Sequence, residues 1–197
     1  MQTDLLKLFN FVRYSAQLRS ITRNNNATPD RKESSAEHSW HLSLVAWLLH
    51  AEFEKEFRVN ISLSKMIKMC IMHDLVEIEA GDVSIWDKDK RIQVSATEED
   101  VAQTMFSRLP DFLRTEFLDL WHEYESQSTL EARIVKGIDR LNPSLMKLLT
   151  GQGWASVNGT VEKLDAIQLP CVAFSQTLSE LYGSIKIEAL ESKLLGE

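Results

Sequence analysis

A chain of 197 residues is long enough for one domain with a sizeable core and short for two. With 44% hydrophobic and 26% charged residues it has a soluble globular profile. A formal net charge of −7 without a basic stripe excludes a grip on nucleic-acid phosphate, although a few converging Arg or Lys can still take a small anion.

In chain order the periodicity is helical nearly throughout, and the expected class is all-α. Residues 3–20 place Leu5, Leu8, Phe9, Val12 and Leu18 on one stripe of a first helix. Arg23 to Asp30 reads as a polar loop of turn formers. Ser34 and Glu37 have the spacing of a capping box that opens a long helix to about Phe57. Ser62 or Ser64 starts a third helix, expected to continue to about Ala80 and to stop at Gly81. A charged loop with Asp82 and Trp86 follows. Ser95 with Glu98 makes a second capping box, opening a helix to about Leu109. Pro110-Asp111 restarts the chain into Phe112–Glu125. Ser128 with Glu131 makes a third box, opening a helix to about Leu149 that Pro143 should kink or split. A glycine-marked loop leads to a last helix from about Cys171 to Leu195. Its stripe of Phe174, Leu178, Leu181 and Ile185 would suit a homodimer seam as well as a core. The expectation is one domain over 1–197, with a core of about 15–150 and a C-terminal helical extension of about 151–197. No alternating strand pattern stands out. Nothing reads as a signal peptide or a bilayer span, and Cys70 and Cys171 read as reduced core thiols of a cytoplasmic protein.

Chemistry concentrates where the apolar run KMIKMCIM meets His73-Asp74 and then Glu77. A carboxylate beside an imidazole at the end of a core helix needs a partner, because an unpaired buried charge is costly. His38 shares the apolar stripe of Leu42, Val45 and Leu49. Asp139 stands in the apolar frame Ile134, Val135, Ile138 and Leu141. Two imidazoles and two carboxylates on three helices make a borderline N/O donor set for a divalent metal. Glu77, at i+4 from His73, is suited to take a proton from an attacking water.

His38, His73-Asp74 and Asp139 in this order resemble the H…HD…D pattern of the HD-domain metal-dependent phosphohydrolases. AEHSWH, HDLVEIEAGDV and LEARIVKGIDRL look like the 5′-deoxynucleotidase branch of that superfamily, over about residues 15–150. The resemblance implies an HD-domain helical bundle. It implies one divalent ion, Co, Mn, Mg, Zn, Fe or Ni, on His38, His73, Asp74 and Asp139. It implies Glu77 as the acid/base, Asp82 in the site near the substrate sugar or phosphate, and Arg23 on the substrate phosphate. The reaction implied is hydrolysis of (deoxy)nucleoside 5′-monophosphates to nucleoside and phosphate. The chain departs from the branch at Asn24, where relatives tend to carry Trp, and at Asn142-Pro143. His41 reads as a packing or supporting residue. Only His122 lies between the HD pair and Asp139, which points to a single metal. Two alternatives stand beside this reading: hydrolysis of another phosphate ester, such as a nucleotide polyphosphate or a cyclic nucleotide, and a non-catalytic module with a structural metal. A structural site has no use for a water-handling Glu77 or a phosphate-holding Arg23.

Overall fold

The structure, a computed structural model, describes residues 3–81, 98–152 and 154–196. Helix α1 (Asp4–Ser15) starts at the Thr3 cap and tightens into a 3-10 turn over Ala16–Ser20, so the first stripe is two pieces and not one helix. The polar segment after it is not a loop. Strand β1 (Thr22–Thr28) pairs antiparallel with β2 (Arg31–Ser34), with Thr22 opposite Ser34 and an irregular register beyond. An Asn-rich strand has no apolar alternation to reveal it.

Helix α2 (Ser35–Phe57) opens on the expected capping box. The Ser34 side chain accepts from the Glu37 N–H, and the Glu37 carboxylate accepts from the Ser34 N–H. Helix α3 (Leu63–Met72) ends earlier than the sequence suggests. His73–Val76 form a 3-10 turn, and a short α4 (Glu77–Ala80) stops at Gly81, whose φ of +76° lies in the left-handed region. Next come α5 (98–106) and α6 (Asp111–Ser126). Ser95 and Asp82 lie outside the described residues. Helix α7 (Leu130–Thr150) is capped by Thr129, not Ser128. Glu131 is turned away to the Ser62 N–H and Lys65. Pro143 neither splits α7 nor ends it. The last helix expected from about Cys171 is α9 (Gln176–Glu191), and a further helix that the sequence does not announce, α8 (Val161–Val172), precedes it.

Helix α7 packs against β1, α2, α3, α6, α8 and α9, so Asp139 lies at the crossing of most of the fold. Gly137 makes the approach of α9 possible. A Cβ there would lie 2.5 Å from Leu178 Cδ1 and 3.2 Å from the Cys171 carbonyl. One core joins Leu42, Met66, Met69, Ile134, Ile138 and Leu178, and a second gathers Phe11, Leu75, Met105, Phe106 and Trp121. Full burial of one such side chain is worth roughly 1.5–3 kcal/mol over exposure. Leu178 and Ile185 are buried, with Phe174 and Leu181 packed against the same core, so the α9 stripe faces inward. Cys70 and Cys171 are both free thiols. No helix among the described residues is long and apolar enough to cross a membrane.

Candidate metal centre

His38, His73 and Asp74 each offer one donor atom, all within 4.8 Å of one another and all from buried residues. They come from two places. The α2 register that buries Leu42 also buries His38, which is fully inaccessible. The end of α3 turns His73 and Asp74 inward together in the tight turn that follows it. Asp139 completes the group from α7. Its Oδ1 lies 3.0 Å from His38 Nε2 and 3.9 Å from His73 Nε2. Asp74 Oδ1 lies 3.0 Å from His73 Nε2, and Asp74 Oδ2 lies 3.8 Å from His38 Nε2. Thus the four ligand candidates read from the sequence meet at one point.

Supporting contacts aim these atoms. His73 Nδ1–H donates to the Cys70 carbonyl at 2.9 Å, which leaves the lone pair on Nε2. That Nε2 is buried and makes no hydrogen bond among the described residues. A buried acceptor left so costs about 1–3 kcal/mol, which a cation bound there would offset. The Tyr124 hydroxyl donates to Asp139 Oδ2 at 2.9 Å and leaves Oδ1 to the histidines. Burial, with the Asp139 charge, raises the Tyr124 pKa well above its ordinary value, so it remains a neutral donor.

The electrostatics favour an anionic donor set. Burial works to raise the Asp74 pKa, but His73 and Arg23 outweigh it and hold this carboxyl below its usual range. Asp139 is lowered likewise against its burial, through the His38 hydrogen bond and the His73 charge. Burial and the Arg23 charge push the His38 imidazole down. His73 goes up, because the Asp74 carboxylate outweighs the effect of burial. Two ionised carboxylates beside a neutral His38 fit a divalent cation, and mixed N/O donors suit the borderline metals.

Arg23 reaches this centre from β1. Its Nη1 lies 2.8 Å from Asp74 Oδ2 and 3.6 Å from Glu77 Oε1, and its Nε lies 3.7 Å from Glu33. Glu77, the first residue of α4, accepts from Ser35 Oγ at 2.6 Å through its second oxygen. Since the 3-10 turn intervenes, Glu77 does not share a regular helical face with His73. Its place is set by Arg23 and Ser35. Asp82 lies outside the described residues.

Sequence reasoning missed Ser35, Glu33 and Tyr124 as parts of this centre. Each is polar and buried or half-buried at a position with no motif spacing. Among them only Glu33 carried a readable signal, as a charged residue that would be buried if the segment were a strand. His41, taken as a supporting residue, lies 2.8 Å through Nδ1 from the side-chain amide oxygen Oδ1 of Asn142. His50 faces the Ile61 carbonyl, and His122 pairs with Glu99 at the surface.

Known proteins resemble this chain in sequence and in fold. A human protein named 5′-deoxynucleotidase HDDC2 is 29% identical over 135 residues, 68% of this chain and 63% of that one. Yeast 5′-deoxynucleotidase YBR242W is 29% identical over 112 residues, 55% of this chain and 44% of its own length. The match thus spans less than two thirds of these curated relatives. A crystal structure described as a predicted metal-dependent phosphohydrolase, from Magnetospirillum magnetotacticum MS-1, superposes with a TM-score of 0.85 at 33% identity, covering 100% of both chains. A family model described as HD domain matches residues 15–172, beyond the 15–150 core expected from motifs, and the chain belongs to the HD domain family.

Proposed function

We propose that the protein is a metal-dependent phosphomonoester hydrolase that converts (deoxy)nucleoside 5′-monophosphates to nucleoside and phosphate. The observation that carries this reading is the meeting of Arg23 and Glu77 beside the His38, His73, Asp74 and Asp139 cluster. A metal that only stabilises a fold needs its ligands and neither of those two groups. The names of the curated relatives and of the superposable structure support the same chemistry.

His38, His73, Asp74 and Asp139 would hold one divalent ion. When bound, that ion lowers the pKa of water and polarises a phosphoryl oxygen. The Arg23 guanidinium is a planar fork that can bind two phosphate oxygens while keeping its contact with Asp74. Glu77, oriented by Ser35, accepts the proton of the attacking water as the new O–P bond forms. The P–O5′ bond breaks on the far side, the nucleoside oxygen takes a proton from solvent as it leaves, and Glu77 then gives its proton back to solvent. The nearly buried Arg23 side chain and the buried Glu33 beside it keep the phosphate end of the site poor in bulk water.

The test is phosphate release from deoxy- and ribonucleoside 5′-monophosphates after chelation and readdition of single metals. Metal-dependent release from at least one monophosphate, abolished in Asp139→Ala, is expected. No release from any monophosphate, with release from a polyphosphate or a cyclic nucleotide, would move the substrate to another phosphate ester.

A further inference from the structure

Asn142 is 2% exposed and lies between two histidines. Its Nδ2 donates to His38 Nδ1 at 3.0 Å, and its Oδ1 accepts from His41 Nδ1 at 2.8 Å. A primary amide has one donating end and one accepting end. The two imidazoles facing it must therefore differ, one with its proton on Nδ1 and the other with Nδ1 bare. In the arrangement described, His38 is the bare one. Its proton sits on Nε2 and is donated to Asp139 Oδ1 at 3.0 Å.

That form of His38 does not suit a ligand. Nε2 is the atom that faces Asp74, Asp139 and His73, and coordination there requires its lone pair. A neutral His38 must then carry its proton on Nδ1. The Asn142 amide has to present oxygen to it, which means a half-turn about its last bond. The half-turn swings the amino end to His41 Nδ1, so His41 must move its own proton to Nε2. Each ring keeps one proton throughout, and no net charge changes. His73 needs no such adjustment, because the Cys70 carbonyl at its Nδ1 can only accept.

We propose that Asn142 is a positioning residue. By turning its amide it sets the metal-ready form of His38, with His41 as the obligatory counterpart that exchanges tautomer when the centre is loaded. The inference rests on the reading of His38 as a ligand. Outer partners of metal-bound histidines are worth about 10–100-fold in metal affinity.

The experiment uses zinc as the probe, with imidazole ¹⁵N NMR and zinc titration. On zinc addition His41 should pass from the Nδ1–H to the Nε2–H tautomer. Asn142→Leu should bind zinc roughly 10–100-fold more weakly. Asn142→Asp can only accept, so it should keep at least parental affinity while holding His41 as Nδ1–H in the loaded state. A His41 tautomer unchanged by zinc in the parent overturns the proposal, even if Asn142→Leu fails to fold. So does a folded Asn142→Leu with parental affinity. His38→Ala separates the two levels. If it abolishes zinc binding while Asn142→Leu does not, only the role of Asn142 falls. If it leaves zinc binding intact, the ligand assignment itself falls.

Discussion

Glu77 and Arg23 stand side by side, and their substitutions should behave differently. Glu77→Gln keeps size and can still accept from Ser35 Oγ, but it cannot take a proton. Its metal content and melting temperature should stay near the parent, and turnover on the best nucleotide should fall at least about a hundredfold. Parental turnover would shift the proton-accepting role elsewhere. Arg23→Ala is harsher than a surface substitution, because Arg23 is nearly buried among Asp74, Glu77 and Glu33. Removing one partner from such a buried group costs about 3–5 kcal/mol through the charges left behind. The metal-free variant should therefore melt well below the parent and bind substrate more weakly. A bound divalent ion, facing the same Asp74, should recover part of the loss. Calorimetry with and without metal checks this, and equal melting of variant and parent without metal would contradict it.

At the level of elements, two joints hold the site residues in place. Gly137 lets α7 meet α9 two residues before Asp139. Alanine at a helical glycine would ordinarily gain about 0.5–1 kcal/mol. Here its Cβ meets Leu178 and a backbone carbonyl, and overpacking of that kind costs about 1–3 kcal/mol. The packing effect is the larger, so Gly137→Ala should lower the urea midpoint, whereas a raised midpoint would show that α9 yields freely. The second joint is the N-terminus of α2, four residues before His38. There the Arg31 side chain and the Ser34 N–H hold Glu37 down to about 2, from an ordinary 4.5. A carboxyl lowered on folding stabilises fully above its ordinary value, and the effect is lost as pH falls from 4.5 through 2. Glu37→Gln should thus be less stable than the parent at neutral pH, with the gap narrowing as pH falls below 4.5 and gone near 2. A gap that does not narrow in acid would assign the effect to packing.

For the whole molecule, the centre ties α2, α3 and α7 together, so metal binding should stabilise the entire fold. Binding to the folded state alone adds about 2.7 kcal/mol at a hundred times the dissociation constant. The melting temperature should rise with divalent metal in the parent and stay flat in Asp139→Ala. Tyr124→Phe should lie between them, because Asp139 Oδ2 loses its donor while Oδ1 remains. A parental metal response in Asp139→Ala would remove Asp139 from the ligand set.

Helix content, the Ser34–Glu37 cap and the inward faces of His38, His73 and Asp139 follow from the chain alone. Each depends on spacing within one element, and a 3.6-residue period carries that information locally. The Arg23 hairpin was not legible, because its side chains are polar on both faces and only packing on α7 makes it a strand. The fate of the turn at His73 was equally hidden: both His73 and Asp74 can be inward only because α3 stops at Met72 against α2 and α7. Pro143 reads as a break in one dimension. In three, α7 runs through it, with Gln168 of α8 donating to the Arg140 carbonyl just before it. The four candidate donors were thus legible in the sequence. Their support by Ser35, Tyr124, Cys70 and Asn142 was decided by tertiary structure, because those contacts join residues that no periodicity relates.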